Sequence, residues 1–224
     1  MVSQLELLKI DTIIFDFDGT LHRGEKLSLP IFHECLQLLY KEFHILKEYP
    51  SDETILSQFG KQADDIYPSL LKTNDPEVIS IFEKCVEEAE VKAFKDGKGE
   101  LYPNVKTTLS TLKNRRFKLA LCTNARTDYF EAAIEYFELN NYFDEMIVAG
   151  QNPGKNKTWM VGKIIEKLKT NHFVVVGDRI HDIQAAKNNG GIAIGCAYGF
   201  GRKEVEKADL QIEKFEELLA IFHR

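Results

Sequence analysis

The chain has 224 residues, 44% hydrophobic and 29% charged, with a net charge of −6 and a pI near 5.6. That length suits one α/β domain with a real core and a small insertion, and is too short for two full-sized domains. An acidic chain with no polybasic stretch argues against a nucleic-acid backbone as partner, and no run approaches the roughly 20 apolar residues that span a bilayer.

The N-terminal ten residues carry neither a basic region nor a long apolar stretch, so a soluble, untargeted cytoplasmic protein is expected. The first strand is Thr12–Phe15, and it runs directly into Asp16-Phe17-Asp18-Gly19-Thr20-Leu21. Residues i and i+2 of an extended chain share a face, which turns both carboxylates into one pocket with Phe17 behind them. Two acids in one crevice require a cation; read alone, an Asp-Gly pair can equally be a solvated turn.

From about Arg23 to Gly99 the pattern becomes helical without strands. Ile31, Phe32, Cys35, Leu36, Leu38 and Leu39 recur at the spacing of an amphipathic helix, and further helices are predicted over 52–59, 63–71 and 76–91. This block, ending in Asp96-Gly97-Lys98-Gly99, reads as a helical cap over residues 23–98, set on a core made of residues 1–22 and 99–224. Beyond it, short apolar strands are predicted at 118–122, 146–148, 173–176 and 192–194, each separated from the next by a helix or turn. Such alternation gives a Rossmann-like parallel sheet with helices on both faces.

The strand at 118–122 ends in Thr123-Asn124, a hydroxyl and an amide that can hold phosphate oxygens together with the N–H groups of the turn. In the loop Asn152-Pro153-Gly154-Lys155-Asn156-Lys157-Thr158, two lysines precede a helix predicted to begin near Thr158, and either can neutralise a phosphoryl group. The strand at 173–176 leads into Gly177-Asp178-Arg179-Ile180-His181-Asp182, a second acidic pair at a strand end. Asp is common in turns and helix caps, but two strand ends with paired acids imply a hard divalent cation, with magnesium the natural choice. The four cysteines, at 35, 85, 122 and 196, have neither Cys-x-x-Cys nor zinc spacing, and are read as thiols in a reducing compartment. Trp159 and Cys122 are read as core, and His22 as a surface histidine beside a hinge in preference to one that lines the pocket.

With these four motifs in this order, the chain resembles the haloacid dehalogenase superfamily, and within it the phosphoglycolate phosphatase-like group with a helical cap. The resemblance covers nearly the whole chain. It implies Asp16 as a nucleophile that becomes an aspartyl-phosphate, and Asp18 as general acid/base. It implies Mg²⁺ held by Asp16, the Asp18 carbonyl and Asp178, with Asp182 direct or through water. Thr123, Asn124 and a lysine, Lys157 in preference to Lys155, would cradle the phosphoryl group. Gln58-Phe59-Gly60-Lys61-Gln62 resembles the group's specificity loop, giving Gly60 and Lys61 as candidates for leaving-group contact. Tyr198-Gly199-Phe200-Gly201 looks like its closing loop.

The sequence departs from the pattern in lacking Lys-Pro, in placing Arg179 after Asp178, and in continuing His22-Arg23-Gly24 after the first motif. The expected activity is Mg²⁺-dependent hydrolysis of a phosphomonoester of the phosphoglycolate or sugar-phosphate type, the partner being a small phosphorylated metabolite and the protein a monomer or homodimer. The alternatives are a phosphomutase of the β-phosphoglucomutase type and a non-catalytic relative that is phosphorylated or binds a ligand.

Overall fold

The computed structural model describes residues 3–43 and 49–223. A short helix α1 (Gln4–Lys9), closed by a Ser3/Glu6 capping box, leads into β1 (Thr12–Phe15), and the chain then enters four helices. These are α2 (Gly24–Phe43), α3 (Asp52–Leu56), α4 (Ala63–Leu71) and α5 (Pro76–Lys95). The remainder alternates: α6 (Val105–Asn114), β2 (Lys118–Thr123), α7 (Thr127–Tyr136), β3 (Glu145–Val148), α8 (Lys157–Leu168), β4 (Phe173–Gly177), α9 (Ile180–Asn188), β5 (Ile192–Cys196), β6 (Leu210–Ile212) and α10 (Leu218–Ile221).

Among the described residues the sheet has six strands, all parallel, in the order β3-β2-β1-β4-β5-β6. Strand β1 is central, with Thr12 level with Lys118 of β2 on one side and with Phe173 of β4 on the other. Its four residues are all buried, as expected of a parallel strand covered on both faces. Alternation divides them. Ile13 and Phe15 join an apolar cluster with α6, α7 and the cap, while Ile14 joins a second cluster with Met160, Val161 and Ile164 of α8 and Ile183 and Ala186 of α9. Because the strand order reverses at β1, with β2 on one side and β4 on the other, the crevice at the sheet's carboxyl edge there is the natural place for a site.

Several expectations change. Strand β6 was not foreseen: three edge residues carry too little periodic signal. Helix α3 stops at Leu56, earlier than 59, whereas α5 runs on to Lys95. Cys35 of α2 and Cys85 of α5 form a disulfide, contrary to their reading as thiols; only the packing of the two helices brings together residues 50 apart in sequence. Cys122 and Cys196 are free and buried, and burial pushes the Cys122 thiol up to about 12. Trp159 is not core: it is 36% exposed, with the ammonium groups of Lys155 and Lys163 over its ring.

The chain leaves and re-enters the core at adjacent points. Arg23 donates its N–H to the Glu100 carbonyl, Tyr102 donates to the Leu21 carbonyl, and His22 and Leu101 form an antiparallel bridge.

Candidate active site

Four charged side chains meet at the carboxyl ends of β1 and β4. Asp16, directly after β1, keeps the ladder going by donating its N–H to the Val176 carbonyl, which fixes its side chain on the same face as Ile14, toward α8. There Lys157, the first residue of α8, places Nζ 2.6 Å from Asp16 Oδ1 and 2.6 Å from Asp182 Oδ1. The helix starts at this residue because Asn156 caps it, accepting the Trp159 N–H. The structure thereby separates the two candidate lysines, since Lys155 lies over Trp159 and its carbonyl accepts from Gln62.

Asp178 follows β4, and Asp182 lies in the first turn of α9, where its Oδ2 accepts the Arg179 N–H. Asp16, Asp178 and Asp182 can each offer a carboxylate oxygen, all within 4.8 Å of one another, and all three residues are buried. Glycines make this convergence possible. A Cβ at Gly177 would lie 2.1 Å from Asp182 Cγ, and one at Gly19, whose φ is +80°, would lie 2.3 Å from Asp178 Oδ2.

Burial and the charge of Asp182 raise the Asp16 carboxyl to about 7, with Lys157 offsetting part of the rise. Burial, then Asp16 and Asp182, also raise Asp178. For Lys157, burial opposes the charge, but the two carboxylates outweigh it and hold the ammonium protonated. Ionising all three buried acids against one ammonium would leave excess negative charge, which a cation would balance. Asp178 Oδ2 accepts from the Phe200 N–H, while Oδ1 is buried with no hydrogen-bond partner among the described residues. An orphaned anionic oxygen beside two further carboxylates fits a hard divalent cation.

Asp18 lies across from this cluster. Its Oδ1 accepts from Tyr129 Oη at 2.7 Å and lies 2.8 Å from His22 Nδ1. His22 is fully buried, which overturns its reading as a surface residue. The reason is the turn itself: Thr20, Leu21 and His22 all donate N–H groups to the Phe17 carbonyl, so the chain doubles back and stacks the imidazole on the Phe17 ring.

A pocket opens between core and cap. Asp16, Asp18, Thr123, Asn124, Gly60 and Lys61 all border it, so the nucleophile, phosphate-loop and cap-loop candidates share one space. Thr123 Oγ1 accepts from Ala125 N at 3.2 Å, shaping the turn. Asn124 Nδ2 donates to the Gly60 carbonyl at 2.9 Å, so this residue also ties core to cap. Lys61 Nζ donates to Gln58 Oε1.

The sequence reading missed the pocket's far wall. Arg126, in the loop after β2, contacts Glu87 and Glu90 of α5 at 3.0 and 3.1 Å and donates to Tyr67 Oη of α4. Burial works against its charge, but Glu90 and its neighbours hold it well above the usual range. Glu90, itself buried, also accepts from Ser28 at 2.6 Å. Burial raises its carboxyl, with Arg126 and Ser28 opposing. Arg179, noted only as a departure, donates Nη1 to the Phe59 carbonyl and pairs with Glu204, clasping the cap loop. Only the cap–core packing reveals these contacts; in sequence they are ordinary helix-surface and loop charges.

Comparison with known proteins agrees with this architecture. The family model for haloacid dehalogenase-like hydrolases matches residues 13–195. Phosphoglycolate phosphatase of Pasteurella multocida is 29% identical, over 92% of this chain and 96% of that protein. Pyrophosphatase PpaX of Bacillus mycoides is 25% identical over 97% and 99%. The crystal structure of a predicted phosphoglycolate phosphatase from Haemophilus somnus superposes with a TM-score of 0.81 at 23% identity, covering 99% of each chain, a likeness of fold. The chain belongs to the haloacid dehalogenase-like hydrolases and is a phosphatase of the phosphoglycolate phosphatase-like group.

Proposed function

We propose that the protein hydrolyses a small-metabolite phosphomonoester through an aspartyl-phosphate on Asp16, with Mg²⁺ as cofactor. One observation carries the reading: Asp16 ends the central strand with Lys157 2.6 Å away, inside a buried set of three carboxylates. Asp16, Asp178 and Asp182 would hold the cation, which when bound neutralises charge on the carboxylates and the phosphoryl oxygens. Lys157 favours the ionised form of Asp16 for attack on phosphorus and sets its Oδ1 in place. Thr123, and the turn that its hydroxyl stabilises, receive the phosphoryl oxygens, while the leaving group extends toward the cap loop at Gly60 and Lys61. Asp18 protonates the departing oxygen, then takes a proton from the water that attacks the aspartyl-phosphate.

Phosphoryl transfer needs mostly positioning and charge neutralisation, and this set supplies both. Residues 23–98 act as the cap and residues 1–22 and 99–224 as the catalytic core, the cap excluding bulk water during turnover. The test is phosphate release from p-nitrophenyl phosphate, phosphoglycolate and several sugar phosphates, with Mg²⁺ or EDTA, for wild type and Asp16→Asn. Metal-dependent release that falls by roughly 10³-fold or more in the variant is expected. Full turnover by Asp16→Asn would overturn the mechanism.

A further inference from the structure

His22 is fully buried in an aromatic enclosure, its ring centroid 5.3 Å from Phe17, 5.3 Å from Phe137 and 5.6 Å from Phe94. Nε2 has no hydrogen-bond partner among the described residues. An orphaned buried ring nitrogen is destabilising. A phenylalanine would suit these surroundings without that cost, so what the histidine contributes must lie at its other nitrogen. Nδ1 lies 2.8 Å from Asp18 Oδ1 and 3.1 Å from Tyr129 Oη, which itself donates to the same Oδ1 at 2.7 Å. This geometry assigns the proton to Nδ1. A Cβ at Gly24 would lie 2.7 Å from Oδ1, so that oxygen is enclosed on a third side.

We infer that His22 is a positioning residue: with Tyr129 it clamps Oδ1 of Asp18 and leaves Oδ2 as the oxygen that exchanges a proton with the leaving group. The inference rests on the proposed acid role of Asp18. A carboxyl free to rotate would present either oxygen, and proton delivery depends on hydrogen-bond reach at the moment the ester bond breaks.

Leaving groups differ in how much they need that proton. The p-nitrophenolate ion departs unaided, whereas a benzyl alkoxide must be protonated. The experiment therefore measures kcat/KM, which reports steps through departure of the first leaving group, for benzyl phosphate and p-nitrophenyl phosphate. It uses Mg²⁺ with wild type, Asp18→Asn, His22→Phe and His22→Asn, each checked for a cooperative melt.

His22→Phe is expected to lose roughly ten-fold or more on benzyl phosphate and less than about three-fold on p-nitrophenyl phosphate. His22→Asn, which restores a donor near Nδ1, recovers much of that selective loss. Asp18→Asn shows the same bias, larger. Equal losses on both esters in His22→Phe, or no rescue by His22→Asn, would overturn the inference while a biased Asp18→Asn left the acid in place. An unbiased Asp18→Asn would remove the acid, and the inference with it.

Discussion

Core and cap meet at one pocket but bring different materials to it. The core side is charged and rigid: Asp16, Asp178, Asp182 and Lys157 stand on strand ends and first helical turns, with Lys157 only 4% exposed. The cap side sets Phe32, Phe59 and Ile66 beside Ser28, Lys61, Tyr67 and Glu90, and it meets the core through backbone carbonyls and the Arg126–Glu90 pair. The difference separates two jobs. Groups that stabilise a phosphoryl transition state must be held with little freedom, whereas a surface that admits and sorts leaving groups has to move.

That division can be broken experimentally, most severely in the core. Lys157→Met strands Asp16 and Asp182 as buried like charges, and breaking a buried ion pair costs about 3–5 kcal/mol. The expected result is loss of nearly all phosphatase activity and a lower melting temperature in EDTA, part of which Mg²⁺ restores. An unchanged melt in EDTA would mean that the lysine does not carry the cluster's charge balance. Gly177→Ala tests the same region by crowding, since the new methyl collides with Asp182. A displacement of about 1 Å costs about 100-fold in rate, and overpacking costs about 1–3 kcal/mol. Steady-state kinetics alongside thermal melts separate the two effects.

The cap predictions are milder. Arg126→Gln removes the counter-charge of Glu90, and a KM rise of the order of ten-fold is expected with a smaller change in kcat, since the residue lines the pocket where core meets cap. A fall in kcat at constant KM would move Arg126 into the chemistry. Reduction of Cys35–Cys85 releases a loop of 50 residues inside the cap. A loss of roughly 2–4 kcal/mol of stability, read by calorimetry with and without dithiothreitol, is expected, with kcat at saturating substrate nearly unchanged.

The same division explains what the sequence made legible. Fully buried strands that run into Asp16 and Asp178 are strong local signals, because a buried apolar run, a glycine and an acid coincide within a few residues. Lys157 and Lys155 were left as alternatives, and the Asn156 cap that starts α8 separates them. The cap offered helical spacing and little else. Its disulfide and the contact of Glu90 with Arg126 arise where elements distant in sequence close on one another, and no local pattern records that closure. Trp159 misled for the opposite reason: a large aromatic in an amphipathic helix reads as core, yet it covers the helix surface beneath two lysine stems.

The paired exit and return of the chain at residues 21–23 and 100–102 means that the whole helical insert is spliced in at a single seam. Cross-strand neighbours in an antiparallel pair lie only about 5 Å apart, so the insert could be shortened, enlarged or exchanged for an unrelated one without stretching the scaffold beneath. Substrate range in such an architecture is a detachable property, able to diversify by transplanting lids while the phosphorus chemistry stays fixed.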